Sequence, residues 1–294
     1  MMHVFQAERL NAFLTGIIEQ QLTPAAWQWL QQQPSSGDIG QFNKTFVLIP
    51  RKTGKEYIQV SVEQLNSLQQ IRPGFSIEGY SIDRLCRVWL LLQLDNTNED
   101  AYIKIIENLF LAAEVNELVT LYGALPVLAY PQKWAARCAE GIRSNIGAVL
   151  ETIICNNPYP SEYLSEAAWN QLVLKAFFTE KNIDCIIGLD KRANKALADT
   201  LCDYAHERWA ASRTVHPQLW RCVAPFIDAG NFSDIQKVLE SKNPVEQKAA
   251  LLACYNSNYE PAKTLLHEYS EIENTIESGE LNWHSLAKEA AAAV

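Results

Sequence analysis

The sequence predicts an all-α protein, and three observations support this class. Apolar residues recur at helical spacing along most of the 294 residues. The segments with this spacing are roughly 10 to 18 residues long and are joined by turns of a few residues, as in antiparallel helix pairs. Hydrophobic residues make up 48% of the chain and charged residues 20%, which indicates an ordered protein. We therefore expect one α-helical domain over residues 1–294, built as a HEAT-like or irregular α-α superhelix.

Residues 1–75 are predicted to form a less regular N-terminal part of this domain. Residues 3–22 carry apolar side chains at the spacing of an amphipathic helix. Thr23-Pro24 offers a threonine N-cap and a proline at the first helical position. A second helix is therefore expected to begin there.

Residues 42–60 are predicted to form a short hairpin or extended segment. β-branched side chains are frequent on both sides of Pro50-Arg51-Lys52-Thr53-Gly54-Lys55, and such runs around a Pro/Gly turn are typical of strands. The turn itself is the densest basic segment of the chain and is expected to be a solvated loop. Ser61 and Gln64 have the spacing of a capping box, which predicts the start of a short helix.

Residues 76–294 are predicted to be stacked helical hairpins. Ser81 is expected to cap the first of these helices, whose apolar face includes Leu85 and Trp89. The helices share no strict repeat period of about 34 or 42 residues, which favours an irregular superhelix. Further helices are expected at residues 98–113, 115–125, 132–144, 145–155, 165–178, 194–213, 217–229, 233–240, 244–255, 261–269 and 283–293.

The chain is acidic, with a formal net charge of −9 and a sequence pI near 5.2. Affinity for nucleic acid comes mostly from Lys and Arg, so nucleic acid is not expected as a partner. The first residues lack the pattern of a signal peptide, and no window holds 18 uninterrupted apolar residues. We therefore expect a cytoplasmic protein.

The seven cysteines are an odd number, include no C-x-x-C pair and lie mostly inside apolar helical patterns, as Cys202 does. This predicts free, buried thiols in a reducing compartment. The sequence also lacks zinc-ligand spacing, G-x-G-x-x-G and G-x-S-x-G motifs, and an Asp-rich magnesium motif. Neither a metal nor a cofactor is expected.

Polar side chains interrupt the apolar helical patterns of residues 141–226. A buried polar group needs a hydrogen-bond partner, either in the protein or on a ligand. We expect these side chains to come together at one place and to hold a small metabolite or a partner protein. The candidate ligand-binding residues are Arg143, Asn145, Tyr159, Asn170, Lys175, Asp190, Arg192, Asp203, His206, Glu207 and Arg208.

Asp203 and His206 lie one turn apart on one predicted helix. A carboxylate at this spacing can orient an imidazole for acid/base catalysis. An enzyme would use this pair, with Arg143, Arg192 or Arg208 holding an anionic substrate. The alternative interpretation is a hydrogen-bond network between helices.

Other candidate residues also have structural interpretations. Asn170 can bond to backbone or to a ligand, and Tyr159 can fix a turn or line the rim of a pocket. Asn194 and its neighbours can cap a helix or hold an anion at its N-terminus. Ion pairs with Glu140, Glu151, Asp190 or Glu207 would satisfy Arg143, Arg208 and Arg221.

Many short pieces between residues 45 and 228 follow one family pattern. They include Pro50-Arg51, Gly54-Lys55, Arg72-Pro73-Gly74-Phe75, Asp83-Arg84-Leu85, Gly141-Ile142-Arg143-Ser144-Asn145, Asn157-Pro158-Tyr159-Pro160, Ala168-Trp169-Asn170-Gln171, Gly188-Leu189-Asp190, Asp203-Tyr204-Ala205-His206-Glu207-Arg208-Trp209 and Leu219-Trp220-Arg221-Cys222-Val223. In these pieces the chain resembles the EboA domain family, a bacterial family of uncharacterised molecular function.

The resemblance implies a place in a secondary-metabolite pathway whose genes also encode a prenyltransferase-like membrane protein and enzyme-like proteins. It implies a small metabolite or proteins of the same pathway as partners, with peripheral contact to a membrane-bound pathway enzyme. It supplies no catalytic residue. We therefore expect a non-catalytic helical binding or adaptor protein, and the alternative is the enzyme with Asp203 and His206 as its acid/base pair.

Overall fold

The structure, a computed structural model, describes residues 7–33 and 39–292. Within these ranges the chain forms 18 α-helices and four short 3-10 helices. An isolated antiparallel bridge between Tyr57 and Ser81 belongs to no strand in the described part. The predicted all-α class is confirmed, whereas the HEAT-like path of the helices stays a prediction. No helix within the described ranges has the length and apolar character needed to cross a membrane.

The chain divides into two compact units, Met1–Ser165 and Glu166–Val294, and a single domain over residues 1–294 stays a prediction. The first unit also contains the 3-10 helices Leu125–Val127 and Pro131–Trp134. Its α-helices are α1 (Ala7–Gln21), α2 (Pro24–Gln31), α3 (Ile39–Thr53), α4 (Val62–Ile71), α5 (Ile82–Leu92), α6 (Glu99–Ala112), α7 (Val115–Ala124), α8 (Ala135–Arg143), α9 (Gly147–Ile154) and α10 (Tyr159–Tyr163).

The second unit contains eight α-helices within the described residues, together with the 3-10 helices Ile183–Cys185 and Ala224–Phe226. Its helix α17 was not predicted, because it has few apolar residues at helical spacing. The α-helices are α11 (Glu166–Phe178), α12 (Lys195–Ala210), α13 (Leu219–Val223), α14 (Phe232–Leu239), α15 (Pro244–Tyr255), α16 (Glu260–His267), α17 (Ser270–Glu277) and α18 (Trp283–Ala292).

The hairpin or extended segment predicted for residues 42–60 is wrong up to Thr53, because α3 occupies that part of the segment. Phe42, Thr45, Phe46 and Ile49 are buried at helical spacing along α3. The Thr45 hydroxyl donates to a carbonyl one turn back, so this β-branched residue fits a helix. Residues 54–61 lie outside any helix, and Tyr57 among them forms the isolated bridge to Ser81.

The predicted helix starts at Thr23 and Ser61 are confirmed. The Thr23 hydroxyl accepts from the Ala26 amide at 3.3 Å. Ser61 and Gln64 exchange side-chain and backbone hydrogen bonds as a capping box. Residues 3–6 of the first predicted helix lie outside the described residues, and the helix is described from Ala7.

The first unit buries a network of three charged side chains in its core. Arg87, which is 3% exposed, donates to Asp83 at 2.9 Å and to Glu117 at 3.4 Å. Its Nε donates to the Phe46 carbonyl at 3.0 Å. Desolvation lowers the pKa of Arg87, and the two carboxylates oppose that shift. The network joins α5 to α3 and α7.

Five cysteines are free and buried, which confirms the prediction for them. Burial raises the pKa of Cys202 and that of Cys222 to about 12, so both thiols stay protonated at neutral pH. The prediction is wrong for Cys155 and Cys185, which are not free thiols. The five free cysteines are Cys86, Cys138, Cys202, Cys222 and Cys254.

Candidate functional site

The first unit contains a mostly apolar cavity of about 360 Å³. This volume lies within the range of about 300–1,000 Å³ that is usual for small-molecule sites. Its walls come from the ends of α4 and α5, from the segment between α7 and α8, and from α1, α6 and α10. The lining residues are Ala7, Arg72, Leu91, Leu92, Leu94, Asn96, Tyr102, Pro126, Val127, Leu128, Ala129, Pro131 and Tyr163.

Arg72 supplies the charged part of the cavity wall. Pro73 follows it and disfavours a further helical turn, so α4 ends here, with Arg72 as its C-cap residue. The side chain is 3% exposed and forms a fork with Glu162, in which Nη1 donates at 2.8 Å and Nη2 at 2.6 Å. Its Nε donates to the Pro126 carbonyl at 2.9 Å. The guanidinium is therefore fixed and electrostatically neutralised.

Aromatic side chains form another part of the wall. The Tyr102 hydroxyl accepts from the Ala129 amide at 3.2 Å. Tyr163 stacks on Tyr159 with ring centroids 4.9 Å apart, and the Tyr159 hydroxyl donates to the Pro131 carbonyl at 2.5 Å. These contacts fix the ring positions before any ligand enters.

A second cavity of about 400 Å³ in the same unit is lined more by polar groups. It contains Lys52, Thr53 and Gly54 of the predicted basic turn, and the Lys52 ammonium lies 5.8 Å from the centre of the Trp29 ring. Because small-molecule sites are mainly apolar with a few polar groups, the cavity at Arg72 is the better candidate.

The predicted site residues of the first unit do not line that cavity. Arg143 and Asn145 are exposed, at the end of α8 and just before α9. Tyr159 is fully buried. It supports the cavity indirectly, because it holds Tyr163, which does line it.

The predicted site residues of the second unit fall into two groups, at opposite ends of α12. Asn170 and Arg192 lie near its start, and His206, Glu207 and Arg208 near its end. Positions 194 and 206 are twelve residues apart, so at 1.5 Å per residue about 18 Å along the helix axis separates the two groups. The structure therefore does not bring these side chains together at one place within this unit, and their role in binding stays a prediction.

His206 is oriented by a carboxylate, but the carboxylate is Asp234 and not Asp203 as predicted. His206 Nε2 lies 2.8 Å from Asp234 Oδ1, and the two side chains are 53% and 12% exposed. Asp203 is exposed on α12. Asp234 lies on α14, 28 residues further along the chain. A catalytic role for His206 stays a prediction.

The Asn170 and Asn194 amides form a reciprocal pair, with distances of 3.1 and 2.9 Å. Asn194 Oδ1 also accepts from the Leu197 amide at 2.9 Å, so the predicted capping of α12 is confirmed. The Arg192 guanidinium lies 4.9 Å from the centre of the Trp169 ring, and burial lowers the pKa of Arg192.

Asn194→Ala is expected to destabilise the protein by about 1–2 kcal/mol, because it removes a helix cap and half of the half-buried amide pair. Asn243→Ala is the matched control, since Asn243 caps α15 through the Val245 amide without an amide partner. The free energy of unfolding from urea denaturation should fall more for Asn194→Ala. Equal losses would show that the pair adds nothing to the cap.

Further candidate residues are held by contacts within the second unit. Arg221 forms a fork with Asp190, with both distances 2.6 Å, and donates to Asp184 at 3.0 Å, so the predicted ion pair is confirmed. Arg208 Nε donates to the Thr214 carbonyl at 2.6 Å. The remaining candidates are Lys175, which is half-buried on α11, and Glu207, which is exposed on α12.

The sequence did not identify the residues that give the cavity its polar character. Arg72 and Tyr102 lie outside the stretch from 141 to 226. Tyr163 lies within it, on the short helix α10, which the sequence does not predict. One signal was present, because Arg72 belongs to a piece of the family pattern. Nothing in the spacing of these residues shows that they share a cavity.

The structure thus defines an all-α protein whose first unit encloses a cavity of small-molecule size. The family model described as Metabolite traffic protein EboA matches residues 10–224 of the 294. Because the match covers more than half of the chain, the chain belongs to the EboA family, and the resemblance seen in the sequence is confirmed. The family description agrees with a role related to a metabolite. Neither the curated proteins nor the solved structures contain a significant match to this chain.

Proposed function

We propose that this chain is a non-catalytic binding protein that holds a small, mostly apolar metabolite in the cavity at Arg72. The observation that carries the proposal is the cavity itself, since about 360 Å³ is lined mainly by apolar and aromatic side chains that are already in place. The family description, which refers to metabolite traffic, supports the same role. Proteins of the same pathway are the proposed recipients of the metabolite.

The chemistry of the wall favours holding a ligand over transforming one. The charge of Arg72 is neutralised by Glu162, and the Tyr159 hydroxyl is bound to backbone. Burial raises the pKa of Tyr102 to about 12, so this hydroxyl is a poor general base at neutral pH. Apolar burial would then provide most of the affinity.

Ala129→Trp is expected to weaken binding of 2-acetylnaphthalene, a neutral aromatic ketone, by at least about ten-fold. Ala129 is a half-buried lining residue, and an indole ring there would occupy space that the ligand needs. Ala112→Trp is the matched control, because Ala112 is exposed at the end of α6 and does not line the cavity. Equilibrium dialysis gives the dissociation constants.

The proposal fails if the unaltered protein does not bind the ketone, or if Ala129→Trp binds it as well as Ala112→Trp does. Native mass spectrometry of the three proteins, purified from the source cells, gives a second readout. A retained metabolite should be present in the unaltered protein and in Ala112→Trp, and absent from Ala129→Trp.

A further inference from the structure

We infer that the cavity at Arg72 selects an uncharged ligand that presents a hydrogen-bond acceptor, such as a carbonyl oxygen, on an apolar skeleton. This specifies the ligand class and rests on the proposed function. The polar side chains that line the cavity are Arg72, Asn96, Tyr102 and Tyr163.

The charge of Arg72 is largely neutralised, so this side chain attracts an anionic ligand only weakly. Its Nε donates to the Pro126 carbonyl, and both of its terminal nitrogens donate to Glu162. An anionic ligand would have to displace Glu162, which is 29% exposed, or remain close to its carboxylate. Both alternatives disfavour a carboxylate or a phosphate in this cavity.

The lining offers a cation no carboxylate either. Asn96 is the remaining polar side chain besides the tyrosines, and it is exposed at the cavity mouth, where water can satisfy its amide. Among the described residues that line the cavity, none is an Asp or a Glu. A buried ammonium group would therefore lack a counter-charge. An uncharged ligand is the one that fits.

Neither tyrosine hydroxyl has an acceptor for its proton among the residues that the structure describes. The Tyr102 hydroxyl accepts from the Ala129 amide, and none of the described residues accepts its proton. The Tyr163 hydroxyl has no hydrogen-bond partner among the described residues. Burial raises the pKa of Tyr163, with a further contribution from the Glu162 carboxylate. Both hydroxyls therefore keep their protons at neutral pH and act as donors.

A ligand oxygen that accepts from these hydroxyls should bind more tightly than a hydrocarbon of the same shape. Sites built to donate a hydrogen bond discriminate against ligands that leave the donor unpaired. One such bond corresponds to about a ten-fold difference in the dissociation constant. The preference should disappear when the hydroxyls are removed and the rings are kept.

Three probes that share one ring system test this inference, and their dissociation constants are measured by equilibrium dialysis at pH 7. We expect 2-acetylnaphthalene to bind about ten-fold more tightly than naphthalene, and 2-naphthoate to bind no more tightly than naphthalene. In the double variant Tyr102→Phe/Tyr163→Phe the ketone should bind only as well as naphthalene, whose own affinity should be unchanged. Tyr130→Phe is the control, because the Tyr130 hydroxyl donates to the Asn96 carbonyl and does not line the cavity.

The outcomes separate this inference from the proposed function. Equal binding of the three probes, tighter binding of 2-naphthoate, or an unchanged ketone preference in the double variant would overturn the inference and leave the proposed function standing. Absence of binding by all three probes would overturn both. If the double variant also loses its affinity for naphthalene, the single variant Tyr163→Phe decides. A smaller preference of this variant for 2-acetylnaphthalene over naphthalene supports the inference, and an unchanged preference overturns it.

Discussion

Arg87→Leu is expected to lower the free energy of unfolding by about 3–5 kcal/mol, the cost of leaving buried charges without their partner. Asp83 and Glu117 would remain in the core of the first unit without the cation that faces both of them. The Phe46 carbonyl would lose its donor as well. The three charged side chains are each less than 10% exposed, so solvent screens the change only weakly.

Urea denaturation followed by circular dichroism measures this loss for Arg87→Leu. Lys195→Ala is the control, because Lys195 pairs with Asp199 and Asp228 where all three side chains are half exposed or more. The control should leave the free energy of unfolding almost unchanged, as expected for surface pairs. A loss for Arg87→Leu no larger than that of the control would mean that the buried network contributes little to stability.

Glu162→Gln is expected to destabilise the protein by about 3 kcal/mol and to change the charge preference of the cavity. The change keeps the shape of the side chain, but leaves the cation of Arg72, which is 3% exposed, without its carboxylate. Because Arg72 lines the cavity, an anionic ligand could then replace the missing charge. Binding of 2-naphthoate should become at least about ten-fold tighter than in the unaltered protein.

The matched control for Glu162→Gln is Glu140→Gln, since Glu140 pairs with Arg137 on the surface and lies outside the cavity lining. Equilibrium dialysis of 2-naphthoate and urea denaturation are measured for both variants. If Glu162→Gln gains no affinity for 2-naphthoate, the guanidinium of Arg72 does not face the ligand. Saturating 2-naphthoate should also restore part of the lost stability, because it binds only the folded state.

The sequence predicts most of the helices, because apolar spacing and caps are local features. Thr23 and Ser61 cap helices at the positions that the residues next to them in the sequence predict. α3 was missed because its β-branched residues favour a strand, although Phe42, Phe46 and Ile49 have helical spacing. The spacing of apolar residues shows which face of the helix is buried. The intrinsic preference of β-branched residues for strands is weaker evidence, because tertiary packing overrides it.

The site was harder to predict, because the partner of a polar side chain is often far away in sequence. His206 has Asp203 one turn away, yet Asp234 on another helix is the carboxylate that it contacts. Arg72 and Glu162 are 90 residues apart, so their bidentate ion pair could not be predicted from the sequence either. Caps such as Asn194 were predicted correctly, since their partners lie within one turn.

The walls of the cavity at Arg72 come from positions as distant as Ala7 and Tyr163. Loop-closure entropy opposes bringing such remote segments together, so contacts of this kind are generally slow to form. A molecule that occupies the cavity would stabilise contacts that form only after the transition state of folding. It would lengthen the lifetime of the native state by slowing its opening, and would leave the refolding rate almost unchanged.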